Sequence, residues 1–406
     1  MLILELERHM KIMKNIKFNR IFVIVMDSVG IGAADDASKY NDSNTNTFKN
    51  LSYSKKDFFI PTLDKLGIGC ITDINNTSKN NIASFGKMKE LSVGKDTLTG
   101  HWEMMGLEVK TPFPSFTDTG FPKQLIDELE KKTGYKFIGN CAASGTEIIK
   151  ELGETHLNTN ALIIYTSADS VLQIAANEQI CPIDELYRVC EIAREITLSN
   201  PEWMVGRVIA RPFIGNNKEN FTRTPKRHDY AVSPTGKTTL EYLKENDYDV
   251  IAVGKINDIF NGVGITQSYK TKNNDEGMDI TIKLTNEQFK GLCFVNLVDF
   301  DALYGHRRDA LGYALSVEQF DKKLKLLIEA LKEEDLLILT ADHGNDPNHT
   351  GTDHTRENVP LLVYSKKISK GNDLGTRETF ADVAATISDN FDIQMPLIGK
   401  SFLNEI

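Results

Sequence analysis

Three short stretches of the chain are apolar at nearly every position and then stop at a turn. They are IFVIVM after Arg20, LCFVNLV from Leu292 to Val298, and LLILT from Leu336 to Thr340. Runs that are apolar on both faces predict buried parallel strands. Each delivers carboxylates at its end: Asp27-Ser-Val-Gly30, Asp299-Phe-Asp301, and Ala-Asp342-His343-Gly344. A helix-like stretch from Ser316 to Lys332 separates the last two, which predicts a β-α-β unit with a right-handed crossover. The same grammar gives a helix over Thr238 to Asn246, a strand over Asp249 to Val253 that ends in Gly254-Lys255, a strand over Val359 to Tyr364 and a closing helix over Thr379 to Asp389. Open α/β sheets bind ligands at the C-terminal edge of their strands. Three carboxylate-bearing strand ends favour a site there.

No internal repeat or low-complexity tract interrupts this pattern. Residues 115–230 contain helices and strands but lack the Asp/His clusters of the two ends. They read as a smaller α+β domain inserted into the first. The predicted organisation is an extension over 1–16, a core over 17–114, a cap over 115–230, and the rest of the core over 231–406. The fold class is α/β, with a mostly parallel sheet flanked by helices. The opening MLILELERHMKIMKNIK is broken by Glu5, Glu7 and Arg8, so it does not read as a secretory signal, and Met13 is an alternative start. No run approaches 18 apolar residues, which predicts no transmembrane helix.

A length of 406 residues is enough to bury a core without disulfides. The formal charge is −10, a field that repels nucleic acid and anionic lipid. Neither is expected as a partner. Forty per cent hydrophobic and 26% charged residues fit a soluble globular chain. The cysteines, Cys70, Cys141, Cys181, Cys190 and Cys293, are odd in number and scattered. They predict buried, reduced thiols in a cytoplasmic protein rather than a disulfide framework or zinc knuckle.

Ligand-type residues crowd the C-terminal third. Asp301 and His306 follow one strand, Asp342 and His343 the next, and His354 comes eleven residues after His343 in a Gly/Asn/Asp-rich loop. Carboxylate and imidazole without thiolate suit first-row transition metals in hydrolytic or phosphoryl-transfer sites. There are too many such groups for one ion, and two ions would clamp the entering and leaving oxygens of a phosphate. His349 reads as a bystander. A second motif is GKDTLTGHWE, where Asp96, Thr97 and Thr99 can cap a helix. Thr97 would alternatively be a nucleophile at a helix N-terminus, where free amides favour phosphate.

GKDTLTGHWE, VMDSVGIG, VDFDALYGHRRD and TADHGNDP…GTDHTREN resemble the signature segments of the phosphopentomutase family of the alkaline phosphatase superfamily. TSADSVLQIA, VGRVIARPF, NFTRTPKRHDYA and VGKINDIF extend the likeness from about Lys17 to the C-terminus. The resemblance implies an alkaline-phosphatase-like core and two manganese ions. One ion would take Asp27, Asp342 and His343, with the Thr97 oxygen beside it; the other would take Asp301, His306 and His354. Thr97 corresponds to the threonine that carries phosphate in the family, and Asp169, Arg207 and Lys255 correspond to contacts with the ribose phosphate. Asp299 matches no ligand of the family, and only that resemblance sets it behind the ligands.

The expected activity is interconversion of the 1- and 5-phosphates of ribose and deoxyribose. It would run through phosphothreonine and a sugar 1,5-bisphosphate, which also activates the enzyme. The alternatives are another metal-dependent mutase or phosphatase of the superfamily, or a metal-binding relative without activity. Between Arg207 and Arg227 six basic residues face one acidic residue, a local +5 that suits a phosphate-gripping cap excluding water.

Overall fold

The structure, a computed structural model, describes residues 18–74, 77, 81–167, 170–368 and 370–406. The N-terminal extension and Asp169 lie outside the described residues. The first strands in chain order are β1 (Arg20–Met26) and β2 (Ser84–Met88). Next come β3 (Phe137–Ala142), β4 (Leu162–Thr166), β5 (Val171–Asn177), β6 (Arg207–Ile214), β7 (Thr222–Arg223) and β8 (His228–Ala231). The last are β9 (Asp249–Val253), β10 (Gln267–Tyr269), β11 (Gly291–Leu297), β12 (Asp335–Thr340), β13 (Val359–Tyr364) and β14 (Asp373–Arg377).

Two compact units divide the chain. One runs up to Thr111 and resumes over Ser233–Ile406, and the other is Pro112–Val232. The first unit holds an eight-stranded sheet in the order β10-β9-β11-β1-β12-β13-β2-β14. Every pairing is parallel except those of β13 with its two neighbours. All seven residues of β1 are buried, as its two-sided apolar run requires. At its start Arg20 grips Asp335 through two bonds of 2.7 Å, closing the N-terminal end of the sheet with a buried bidentate pair.

β11 and β12 are parallel but not adjacent, because β1 pairs with both. The connecting helix, Ala310–Ala330, starts earlier than its apolar periodicity indicates. Asp309 sets that start by accepting from Gly312 N at 2.8 Å. The helix Thr239–Glu245 begins with a capping box made by Thr238 and Glu241, and the closing helix is Asp382–Phe391.

The second unit is a mixed sheet in the order β3-β4-β5-β6-β7, with β8 also on β6. Alternation along its strands feeds two cores. Leu172, Ile174, Val208 and Ala210 pack with Leu125, Leu129 and Val189 on one face, while Ile163, Tyr165 and Phe213 pack with Ile148 and Ile149 on the other. Among the described residues no helix is long and apolar enough to cross a membrane.

Candidate metal centre

Four neighbouring parallel strands, β9, β11, β1 and β12, end at one edge of the large sheet. β1 delivers Asp27, followed by Ser28 in the left-handed region at φ 68°. β12 delivers Asp342 and His343, and β9 delivers Lys255. After β11 the chain makes one π turn, Phe300–Gly305, in which His306 N donates to Asp301 O at 3.0 Å. Five residues make about one turn there, so Asp301 and His306 share a face that an α-helix would split. The helix Thr97–Met104 brings Thr97 to the same edge, with Asp96 Oδ1 accepting from Leu98 N and Thr99 N. Gly100 permits that approach, since a Cβ there would lie 2.1 Å from Asp342 O.

Two triads each bring their ligand atoms within 4.8 Å of one another: Asp301, His306 and His354, and Asp27, Asp301 and His343. Asp301 therefore stands at the border of both groups. Asp342 Oδ2 reaches His343 Nε2 at 3.3 Å, and Thr97 Oγ1 also lies 3.3 Å from that nitrogen. The three histidines are held alike. His306 Nδ1 meets Thr352 O at 2.7 Å, His354 Nδ1 meets Lys95 O at 3.0 Å, and His343 Nδ1 meets Gly344 O at 3.0 Å. A carbonyl only accepts, so each Nδ1 carries its proton and each Nε2 presents a lone pair inward.

The inward groups fit a cation. His306 Nε2 and His354 Nε2 are 3.2 Å apart, and Asp301 Oδ2 lies 3.0 and 3.6 Å from them. Asp27 Oδ1 and Asp342 Oδ2 are buried and accept no hydrogen bond. Lone pairs and carboxylate oxygens that converge without donors are what a divalent ion satisfies. The electrostatics agree. Burial, then the carboxylates of Asp342 and Asp301, push Asp27 well above the usual carboxylate range.

Behind these groups stand residues that the spacing did not reveal. Asn296, inside β11, donates Nδ2 to Asp27 Oδ2 at 2.8 Å and lies 3.2 Å from His101 Nε2. His101 Nδ1 meets Thr97 O at 2.8 Å. Asn345 donates to Asp301 Oδ1 at 2.7 Å. Arg308 bonds Asn345 Oδ1, Gly351 O and Asp353 O, fastening the loop that carries His354. A polar Asn within an otherwise apolar strand was the one available signal.

The other residues singled out in the sequence lie elsewhere around these groups or in the second unit. Asp299 Oδ2 accepts from Asn274 N at 2.7 Å, the first amide of the helix Asn274–Leu284, whose N-cap is Asn273. His349 pairs with Asp42 at 3.2 Å. All five cysteines are free, but Cys70 and Cys141 are exposed rather than buried, because each sits at an outward position of its element. Arg207 opens β6 in the second unit, half-buried and 3.8 Å from Asp229. Lys255 is near enough to Asp27 to favour its ionised form.

The metalloenzyme superfamily model matches residues 19–395. Phosphopentomutases of Clostridium beijerinckii and Clostridium botulinum are each 55% identical over 394 residues, covering 96% of this chain and 99% of theirs. A crystal structure of Leishmania mexicana phosphoglycerate mutase superposes with a TM-score of 0.50 at 13% identity, covering 96% of this chain and 98% of that one. At that identity it speaks for the fold alone. The two clostridial relatives and the superfamily model run the length of the sheet and all of its ligand-bearing ends, and the chain belongs to the phosphopentomutases of the metalloenzyme superfamily.

Proposed function

We propose that this chain interconverts the 1-phosphate and 5-phosphate of ribose and 2-deoxyribose, with Thr97 as the phosphoryl carrier. The observation that carries the reading is the half-buried Thr97 hydroxyl at a helix start, 3.3 Å from His343 Nε2 and beside one oxygen each of Asp27 and Asp342 that accepts no hydrogen bond. Asp27, Asp342 and His343 would hold one manganese ion, and Asp301, His306 and His354 the other. When bound, the ions supply positive charge to the phosphoryl oxygens and lower the pKa of the threonine hydroxyl.

Thr97 first takes a phosphoryl group from a sugar 1,5-bisphosphate, which is the activator. In turnover the Thr97 Oγ–P bond breaks and a bond forms from phosphorus to the free sugar hydroxyl, whose proton leaves. The resulting bisphosphate turns over, its other O–P bond breaks, and the phosphoryl group returns to Thr97. The chain's task is positioning. Asp96 fixes the first turn that carries Thr97, and His101 ties its carbonyl to Asn296 and so to Asp27. By family resemblance Asp169, Arg207 and Lys255 bind the sugar's phosphate and hydroxyls. Five free thiols fit a reducing cytoplasm.

The test is ribose 5-phosphate with manganese and a trace of 1,5-bisphosphate, followed by phosphorus NMR. Ribose 1-phosphate should accumulate, intact mass should show one phosphate, and Thr97→Ala should lose both. Release of inorganic phosphate alone would make the chain a phosphatase, and preferential turnover of phosphoglycerate would make it a different mutase.

A further inference from the structure

The second unit contains a cavity of about 700 Å³, within the size range of small-molecule sites. Its walls include Thr146, Arg211, Phe221, Arg223 and Arg227. Two of these guanidinium groups, those of Arg223 and Arg227, are exposed, and Arg211 is half-buried. Asp229 offsets Arg227 through bonds of 2.6 and 2.6 Å, and Arg211 donates to the neutral Gln173 carbonyl at 2.7 Å and lies beside the Tyr165 hydroxyl. Arg223 makes no ion pair among the described residues. Burial, with the charges of Arg227 and Arg223, holds Arg211 below the ordinary guanidinium value.

A buried hydroxyl stands behind this wall. Tyr165 on β4 is fully buried, and its hydroxyl makes no hydrogen bond. The hydroxyl sits against Gly145, the first residue of the helix Gly145–Thr159: a Cβ on Gly145 would lie 2.6 Å from Tyr165 Oη and 3.3 Å from Arg211 Nε. The guanidinium beside it can only donate, so the phenolic proton still lacks an acceptor. Burial pushes that phenol above its ordinary value, which keeps it a donor. Ser144, which precedes the helix, gives no side-chain cap, and Thr146 of the first turn lines the cavity. Donors from three arginines and the Thr146 hydroxyl therefore line one space, and the buried Tyr165 hydroxyl stands behind Arg211.

We infer that this cavity binds a phosphate dianion through Arg211, Arg223 and Arg227. A phosphorylated sugar is the ligand class, with the Phe221 ring as an apolar wall. Arg–phosphate bonds supply the grip. That ligand class rests on the mutase reading above. The phosphate has two possible sources, the non-reacting phosphate of the substrate or a separate phosphorylated effector.

The probe is inorganic phosphate, titrated calorimetrically into the full-length protein after chelation, so that the metal centre does not contribute. Wild type should bind one phosphate. Arg223→Gln and Arg211→Gln should each weaken binding at least tenfold, while Arg188→Gln, whose guanidinium pairs with Glu185, should bind as wild type does. Unchanged melting temperatures will show that both pocket variants fold. No binding by wild type, or equal binding by Arg223→Gln, Arg211→Gln and wild type, overturns the site. Kinetics separate the sources. A raised KM for ribose 5-phosphate in Arg223→Gln identifies the substrate's own phosphate, and an unchanged KM with loss of any rate response to added phosphate identifies an effector. Phosphate binding without pentose isomerisation would remove the mutase reading and leave the site standing. Isomerisation without phosphate binding would do the reverse.

Discussion

Asn296 links the two halves of the candidate chemistry. One amide nitrogen donates to Asp27 and lies beside His101 Nε2, and His101 in turn holds the Thr97 carbonyl. That arrangement fixes the tautomer of His101, since Nδ1 must donate to the carbonyl and Nε2 must accept. Asn296→Ala removes the bond to Asp27 and loosens the chain of contacts to Thr97. Manganese affinity should fall by about 10–100-fold, the usual cost of losing a group behind a ligand. Stability should drop by about 1–3 kcal/mol from the unpaired buried partner. A metal titration of the variant checks this, and undiminished affinity would remove Asn296 from the centre. At this scale the sequence was legible where chemistry and position coincide. Asp27, Asp301, Asp342 and His343 stand just beyond apolar strands, and that placement marked them. Asn296 and His101 carry no such mark, because they lie inside elements and Asn296 meets Asp27 269 residues away, and Asn345 meets Asp301 only across 44 residues of chain.

The elements explain why the spacing worked. Asp301-x4-His306 was readable as a ligand pair, but the two side chains meet only because the turn after β11 is a π turn. No residue type announces such a turn. The long loop after β12 is a similar case. Its Gly/Asn/Asp content showed that it was a loop, while its shape depends on Arg308, itself at φ 55° and bonded to Gly305, Gly351 and Asp353 carbonyls. Arg308→Met keeps the stem and removes the bonds. It should weaken binding at the Asp301–His306–His354 group by roughly tenfold, with a smaller effect at the group nearer Asp27. Two-step metal titration would show the difference, and equal loss at both would argue against a local clamp. Asp299 gives the contrasting case. Loss of its bond to the first amide of the helix Asn274–Leu284 should cost about 1.5–3 kcal/mol on conversion to Ala, with activity and metal affinity retained. A dead but stable Asp299→Ala would return it to the metal centre. The crossover was legible as β-α-β, but not that β1, from the far end of the sequence, would pair between β11 and β12. Local periodicity cannot report which distant strand fills a gap.

On the scale of the whole molecule, both ligand triads belong to the unit built on the large sheet, and the inserted unit has two cores of its own. Asp27, Asp301 and Asp342 converge at buried positions, and burial with its neighbouring carboxylates already pushes Asp27 up. Removing a bound cation would leave that repulsion uncompensated. A metal that binds the native state and not the unfolded chain stabilises by about 2.7 kcal/mol at a hundred times its dissociation constant. For a unit of this size that is roughly 5–10 °C in melting temperature. Manganese should therefore raise the transition of the large-sheet unit by about that amount over the chelated protein. Hydrogen exchange should locate the effect, with protection falling in β1, β11 and β12 on chelation while β4, β5 and β6 keep theirs. Because β1 is the central buried strand, its amides exchange only when that unit opens, so they report the linkage directly. Equal loss of protection in both sheets, or a melting temperature indifferent to chelation, would show that the converging carboxylates do not depend on a metal.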